Sequence, residues 1–215
     1  MEQRNELPTR CLAGLPALCW ELNRAGSCLL LRFGERQEIS AGLLHDLTIL
    51  TLGAQLRGSR NNTIGAQGVS TVFGAIRFLL AEHVVKEQDG RLIEVLNAAG
   101  RRVVIAFASD PDIVIRQGLS TGEDRNVIAI EIKGGGDVSN VHNRVGEAEK
   151  SHQKARKAGF VECWTIISVD RFDMAKLQRE SPATDRFFRL SAIASQCGPE
   201  FADFGSRLRS LTGVP

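Results

Sequence analysis

A chain of 215 residues with 43% hydrophobic and 24% charged residues carries enough apolar material for a sizeable core, which argues against disorder outside the ends and suits one large domain, or a core domain plus a smaller helical layer. The formal net charge of +2 gives no bulk field to attract a polyanion, so any nucleic-acid contact has to come from local clusters. Five scattered cysteines, Cys11, Cys19, Cys28, Cys163 and Cys197, form no CxxC pair and have no histidine at zinc-ligand spacing, so they read as reduced thiols of a cytosolic protein.

The polar start MEQRNELPTR lacks the basic-then-apolar pattern of a signal peptide, and the runs CLLLRF and VIAIEI are too short to span a bilayer. The expected location is cytoplasmic, without a membrane partner. From Leu7 to about Gln55 the apolar residues recur at helical spacing, as in Leu43, Leu44, Leu47, Leu50 and Leu52. Residues 56–68, LRGSRNNTIGAQG, lose that periodicity and read as a loop. A helix resumes over VSTVFGAIRFLLAEHVVKEQ, with Val72, Ile76, Leu79, Leu80 and Val84 turned inward.

After Gly90 the pattern becomes β-type: RLIEVL, RRVVIAFA, DIVIRQG and NVIAIEIKG are short, β-branched and bounded by turn residues. Such continuous apolar runs suit strands covered on both faces. A long helix follows, opened by Ser139 or Asn140 and closed by Gly159. VECWTIISVD is a further strand, and two or three helices fill the remainder. Trp20 and Trp164 read as core.

The order predicts an α/β fold, a mixed central β-sheet flanked by helices with a helical N-terminal layer. Residues 1–215 form one domain in this reading: a mainly helical layer over 1–90, an α/β core over 91–170 and C-terminal helices over 171–215.

Asp112 opens one strand, and Glu131 and Lys133 close the next. Residues two apart on a strand share a face, so Glu131 and Lys133 project together while Ile132 faces the other layer. If the two strands pair as a hairpin, Asp112 lies beside the end that carries Glu131. Glu131 interrupts VIAIEI where a buried strand would carry an apolar residue, and an inward carboxylate needs a partner. Two carboxylates held close repel each other, which a hard divalent cation such as magnesium relieves. A lysine beside such a site is placed to position a water. The plain alternative is solvated charge at strand ends.

At these residues, Pro111-Asp112 and then, 19 positions on, Glu131-Ile132-Lys133, the sequence resembles the PD-(D/E)XK nuclease superfamily. EIKGGGDVSNVHNRVGEAEKSHQKARKAGF resembles, more narrowly, the segment after the active site in type II restriction endonucleases of the XcyI-like group. The resemblance spans roughly Ser109 to Trp164. It implies a restriction-endonuclease-like core and a magnesium-dependent endodeoxyribonuclease acting on double-stranded DNA to leave 5′-phosphate and 3′-hydroxyl ends. Asp112 and Glu131 would be metal ligands, the Ile132 carbonyl a further one, and Lys133 the residue that orients the attacking water. Many members add a glutamate from an upstream helix, for which Glu82 is the candidate.

One Asp-Glu-Lys set serves one strand, so a restriction enzyme of this kind is expected to act as a two-fold homodimer, paired through helices before Gly53. No P-loop or dinucleotide fingerprint is present, so no nucleotide cofactor is expected. The run GGGD, residues 134–137, is either a plain turn or a close approach to phosphate.

The helix after it turns Val141, Val145, Ala148, His152 and Ala155 to one side. Asn140, Asn143, Arg144, Glu147, Lys150, Ser151 and Lys154 lie on the other. With Ser139, the Asn, Arg and Lys side chains of this outer face are candidates for DNA contact, the alternative being a solvated face. Arg57, Arg60, Asn61, Asn62 and Gln67 would contact DNA if residues 56–68 are a reading loop. His142 and His152 read as structural or DNA-facing. Rival functions are a repair or recombination nuclease of the same fold and a DNA-binding module without hydrolytic activity.

Overall fold

The computed structural model describes residues 9–34, 40–135 and 140–215, excluding the side chains of residues 9–13, 29, 30, 33, 34, 53–55 and 57–62. The chain divides into two compact units, Met1–Arg57 and Gly58–Pro215. The first contains α1 (Thr9–Gly34) and the start of α2 (Ala41–Leu79). Ser40 opens α2 by accepting the Leu43 N–H at 3.1 Å. The helical reading from Leu7 to Gln55 holds among the described residues, with residues 7, 8 and 35–39 lying outside them, but Trp20 is not core: it is 63% exposed, with Arg24 stacked on its ring.

Residues 56–68 are helix in the structure, inside the uninterrupted α2, and not a loop. The turn formers Gly, Asn and Ser are permissive there. Gly68 is buried, and a Cβ at that position would sit 3.0 Å from the Ile132 side chain, so close packing on the sheet selects glycine where a turn was expected. At its far end α2 stops sooner than its apolar spacing predicts. Ala81–His83 form a 3-10 turn, and Val84–Gln88 is strand β1. The run VVKEQ is β-branched at its start, and pairing with the next strand overrides the helical reading.

The sheet has seven strands in sequence order: β1, β2 (Leu92–Leu96), β3 (Arg102–Phe107), β4 (Ile113–Gly118), β5 (Asp124–Lys133), β6 (Glu162–Ile167) and β7 (Arg186–Arg189). β1 to β5 form an antiparallel meander, whereas β5, β6 and β7 run parallel. The crossover from β5 to β6 is α3 (Val141–Lys157). This is the expected mixed sheet flanked by helices. β7 adds a strand to a C-terminal segment expected to hold only helices. RFFR has too few residues to show a period, and Phe187 and Phe188 are buried on opposite sides. The helices there are α4 (Met174–Glu180), α5 (Leu190–Ser195) and α6 (Pro199–Thr212).

The two faces differ in character. On one, Ile128, Ile130 and Ile132 of β5 and Trp164 and Ile166 of β6 join Val72, Phe73 and Ile76 of α2 and Phe204 and Leu208 of α6 in the main core. Trp164, Phe188 and Phe204 meet edge-to-face there, with ring centroids 5.2–5.5 Å apart. On the other face, small and polar side chains of β5 and β6 meet α3, where Val114, Ala129, Ala155, Phe160 and Cys163 form a minor cluster.

Candidate active site

In the β4–β5 ladder Ile113 lies opposite Ile130 and Val114 opposite Ala129. One further step sets Asp112 opposite Glu131. Both side chains therefore fall on the α3 face, because Val114 and Ala129, two residues along each strand, pack there. The Asp112 carboxylate is anchored by the Ile132 N–H, which donates to Oδ2 at 2.7 Å. Glu131 is only 8% exposed, and Lys133 holds its Oε1 at 2.9 Å. Strand pairing thus brings together the three residues that the sequence singled out.

Burial first, and the Glu131 charge second, push the Asp112 carboxyl up to about 6, against the pull of the Ile132 hydrogen bond and Lys133. Burial lowers the pKa of Lys133, but the hydrogen bond and charge of Glu131, with Glu147 and Asp112 behind them, more than reverse this. Lys133 is therefore an ammonium at neutral pH. It is a donor that can orient a water or an anionic oxygen.

Two partners of this cluster escaped the sequence reading. Ser151, assigned to the outer face of α3, is buried instead, and its Oγ lies 2.8 Å from Glu131 Oε2 and 2.5 Å from Asp110 Oδ1. Asp110 also accepts from Lys154 Nζ at 2.6 Å. The sequence reading places Ser151 on the outer face and makes nothing of Asp110. The available signal was the helical interval of four from Glu147 to Ser151, matching the strand interval of two from Lys133 to Glu131. Glu147 Oε2 does lie 3.6 Å from Lys133 Nζ.

The remaining candidates divide. Lys154 is paired with Asp110, and the Arg144 guanidinium donates to the carbonyls of Gly134 and Gly135. Both are held within the chain. Gly134 packs against Ile64 and Gly135 has a φ of 98°, so turn geometry and close packing account for both glycines. Asn143 and Lys150 are exposed, and Asn140 precedes the first turn of α3. Ser139 and the side chains of Arg57, Arg60, Asn61 and Asn62 lie outside the described residues, while Gln67 is exposed on α2.

Glu82 stands exposed in the 3-10 turn before β1, and among the described residues no group of three His, Cys, Asp or Glu side chains is arranged to hold a metal ion. His142 bonds Glu180 and Lys176. His152 is buried against Thr165, and that burial pushes it down to about 4, so it is a neutral structural residue.

Beside Asp112 opens a cavity of about 500 Å³, lined among others by Val69 and Ser70 of α2, Gly90 and Arg91 of the β1–β2 turn, and Phe107. The Arg91 guanidinium lies 5.7 Å from the centre of the Phe107 ring, a contact that holds this cation at the cavity wall.

The sequence matches a family model described as XcyI restriction endonuclease over residues 1–215. It is 50% identical over 215 residues to the type II restriction enzyme XcyI of Xanthomonas campestris pv. cyanopsidis. It is also 46% identical over 214 residues to the type II restriction enzyme Cfr9I of Citrobacter freundii. Each comparison takes in the whole of this chain but 64% of the relative, so the chain spans less than two thirds of the length of these proteins. No solved structure matches.

The burial of Asp112, with the Glu131 charge beside it, has a measurable cost. The fold penalises ionised Asp112, and that penalty is complete above pH 6, fading as pH falls from about 6 toward the unfolded value of 3.8. Without divalent cations, Asp112→Asn should therefore raise unfolding stability at pH 8 by about 1–2 kcal/mol, allowing for partial solvent screening. The gain should vanish near pH 4. Denaturant titrations at the two pH values measure it, and an unchanged or lowered stability at pH 8 contradicts that cost.

Proposed function

The chain belongs to the XcyI restriction endonuclease family, and on that premise we propose that it is the nuclease core of a type II, site-specific endodeoxyribonuclease. It hydrolyses phosphodiesters of double-stranded DNA to 5′-phosphate and 3′-hydroxyl ends. The observation that carries this reading is the Asp112–Glu131 pair at adjoining strand ends with the Lys133 ammonium on Glu131.

The donor set suits magnesium. Two carboxylates and the Ile132 carbonyl offer hard oxygen ligands, and the upward push on Asp112 reflects in part a repulsion that a cation relieves. With two acidic side chains among the described residues, the site fits an ion that keeps several waters and shares substrate phosphate oxygens. When bound, such a cation supplies Lewis acidity at the phosphoryl group and makes a water more acidic. The Lys133 ammonium orients the attacking water and the charge developing beside it. Asp112, pinned by the Ile132 N–H, and Glu131, pinned by Lys133, keep their oxygens in place without rearrangement.

DNA would approach over the cavity beside Asp112, where Arg91 offers a cation for a backbone phosphate. Asn143 and Lys150 are the α3 side chains left on the exposed face for further contacts. In the first unit Leu18, Trp20, Leu22, Leu31 and Leu50 are each more than half exposed. An apolar surface of that kind supports pairing of two copies through the N-terminal helices. The cytoplasm, where the DNA and reduced thiols are, is the corresponding location.

Incubation with a sequenced plasmid and magnesium tests the activity. Discrete fragments with ends at one sequence are expected, and a smear or structure-dependent nicking favours a repair nuclease. Asp112→Ala, Glu131→Ala and Lys133→Ala should each slow cleavage by at least about a hundredfold while binding to DNA persists. Cleavage near the wild-type rate in any of them contradicts its assigned role. Light scattering on the intact protein bound to its duplex should give the mass of two copies, and a monomer that nicks one strand contradicts the dimer.

A further inference from the structure

Helix α3 lays Glu147 and Ser151, one turn apart, over Lys133 and Glu131 of β5. The two α3 residues differ in kind. Glu147 is largely exposed and reaches only Lys133, whereas Ser151 is 5% exposed and lies within hydrogen-bond reach of two carboxylates. A serine hydroxyl has one proton to donate. With Glu131 Oε2 at 2.8 Å and Asp110 Oδ1 at 2.5 Å, it satisfies one acceptor and turns a lone pair toward the other. That second contact, a lone pair against a carboxylate oxygen, is not a hydrogen bond.

The two acceptors are not equally supported. Asp110 is exposed and holds Lys154 Nζ at 2.6 Å on its other oxygen. Glu131 is buried, and its remaining oxygen depends on Lys133, which is itself shared with Glu147. Without the hydroxyl, Glu131 Oε2 would be a buried acceptor with one protein partner fewer.

We propose that Ser151 is a positioning residue for Glu131: its hydroxyl donates to Oε2 and fixes the carboxylate in the orientation a divalent cation meets at its other lone pairs, both when the site is free and when it is occupied. This rests on the metal-binding reading of Asp112 and Glu131 above. The hydroxyl sets the cation affinity of the site, as partners one step removed from a metal commonly do. Serine carries no charge, so replacing it by alanine leaves the formal charges of the carboxylates in place and removes the hydrogen bond that orients Glu131.

Calorimetric titration of the intact protein with manganese alone, without DNA, reads this directly. Ser151→Ala should weaken binding about 10-fold or more, and Ser151→Thr, which keeps the hydroxyl, should restore it to within about threefold of wild type. Ser151→Cys keeps the volume and is a poor donor, so it should reproduce the loss even if the alanine variant folds badly. Wild-type affinity in both the alanine and cysteine variants overturns the role of Ser151 and leaves the metal reading intact. A loss that threonine does not restore also overturns it. A wild-type chain that takes up no manganese overturns the metal reading and this proposal together.

Discussion

Glu131 is a carboxylate near the C-terminal end of β5, whose residues Ile128, Ala129, Ile130 and Ile132 are all buried, and it is itself 8% exposed. An ionised group in that setting is tolerated only where its oxygens are met by donors, because desolvation costs several kcal/mol that nothing else in an apolar strand offsets. The surrounding structure answers that demand from both sides. Lys133 follows two residues later on the same face, and Ser151 descends from α3. Asp112 is drawn in beside it by strand register, and its own carboxylate is tied to the backbone at Ile132. Two acids are thereby held at adjoining strand ends against their mutual repulsion.

The asymmetry of the sheet makes this arrangement tolerable. One face is packed by α2 and α6 through isoleucines and the Trp164, Phe188 and Phe204 rings, which supply the apolar burial that holds the strands. The opposite face is covered by α3 through Ala148, Ser151 and Ala155, and small residues let the helix sit close enough for its hydroxyl to reach β5. The main apolar packing and the proposed chemistry thus lie on opposite faces of the same strands. Mutations in the aromatic core should act on folding, and changes under α3 on the site.

Much of this was legible in the sequence because it depends on local period and short-range pairing. Four β-type runs after Gly90 became β2 to β5, and the long helix and the strand after it became α3 and β6. Asp112, Glu131 and Lys133 met as a hairpin would bring them. What was missed depends on tertiary contact. Residues 56–68 carry turn formers yet are helical, with Gly68 chosen by the nearness of Ile132. VVKEQ followed its strand partner and not its helical spacing, and Trp20 of the first unit is exposed although its residue type suggests core. Ser151 is marked only by its interval from Glu147, and Asp110 not at all, since a serine on a polar helix and an aspartate before a proline are common surface features.

The claim on which the functional reading turns is that Asp112 and Glu131 share one divalent cation. Crystals soaked in manganese and measured for anomalous scattering locate the ion without reference to activity. A peak within about 2.0–2.4 Å of carboxylate oxygens of both residues is the predicted result. Manganese bound elsewhere, or an ion held by only one of the two acids, would contradict it.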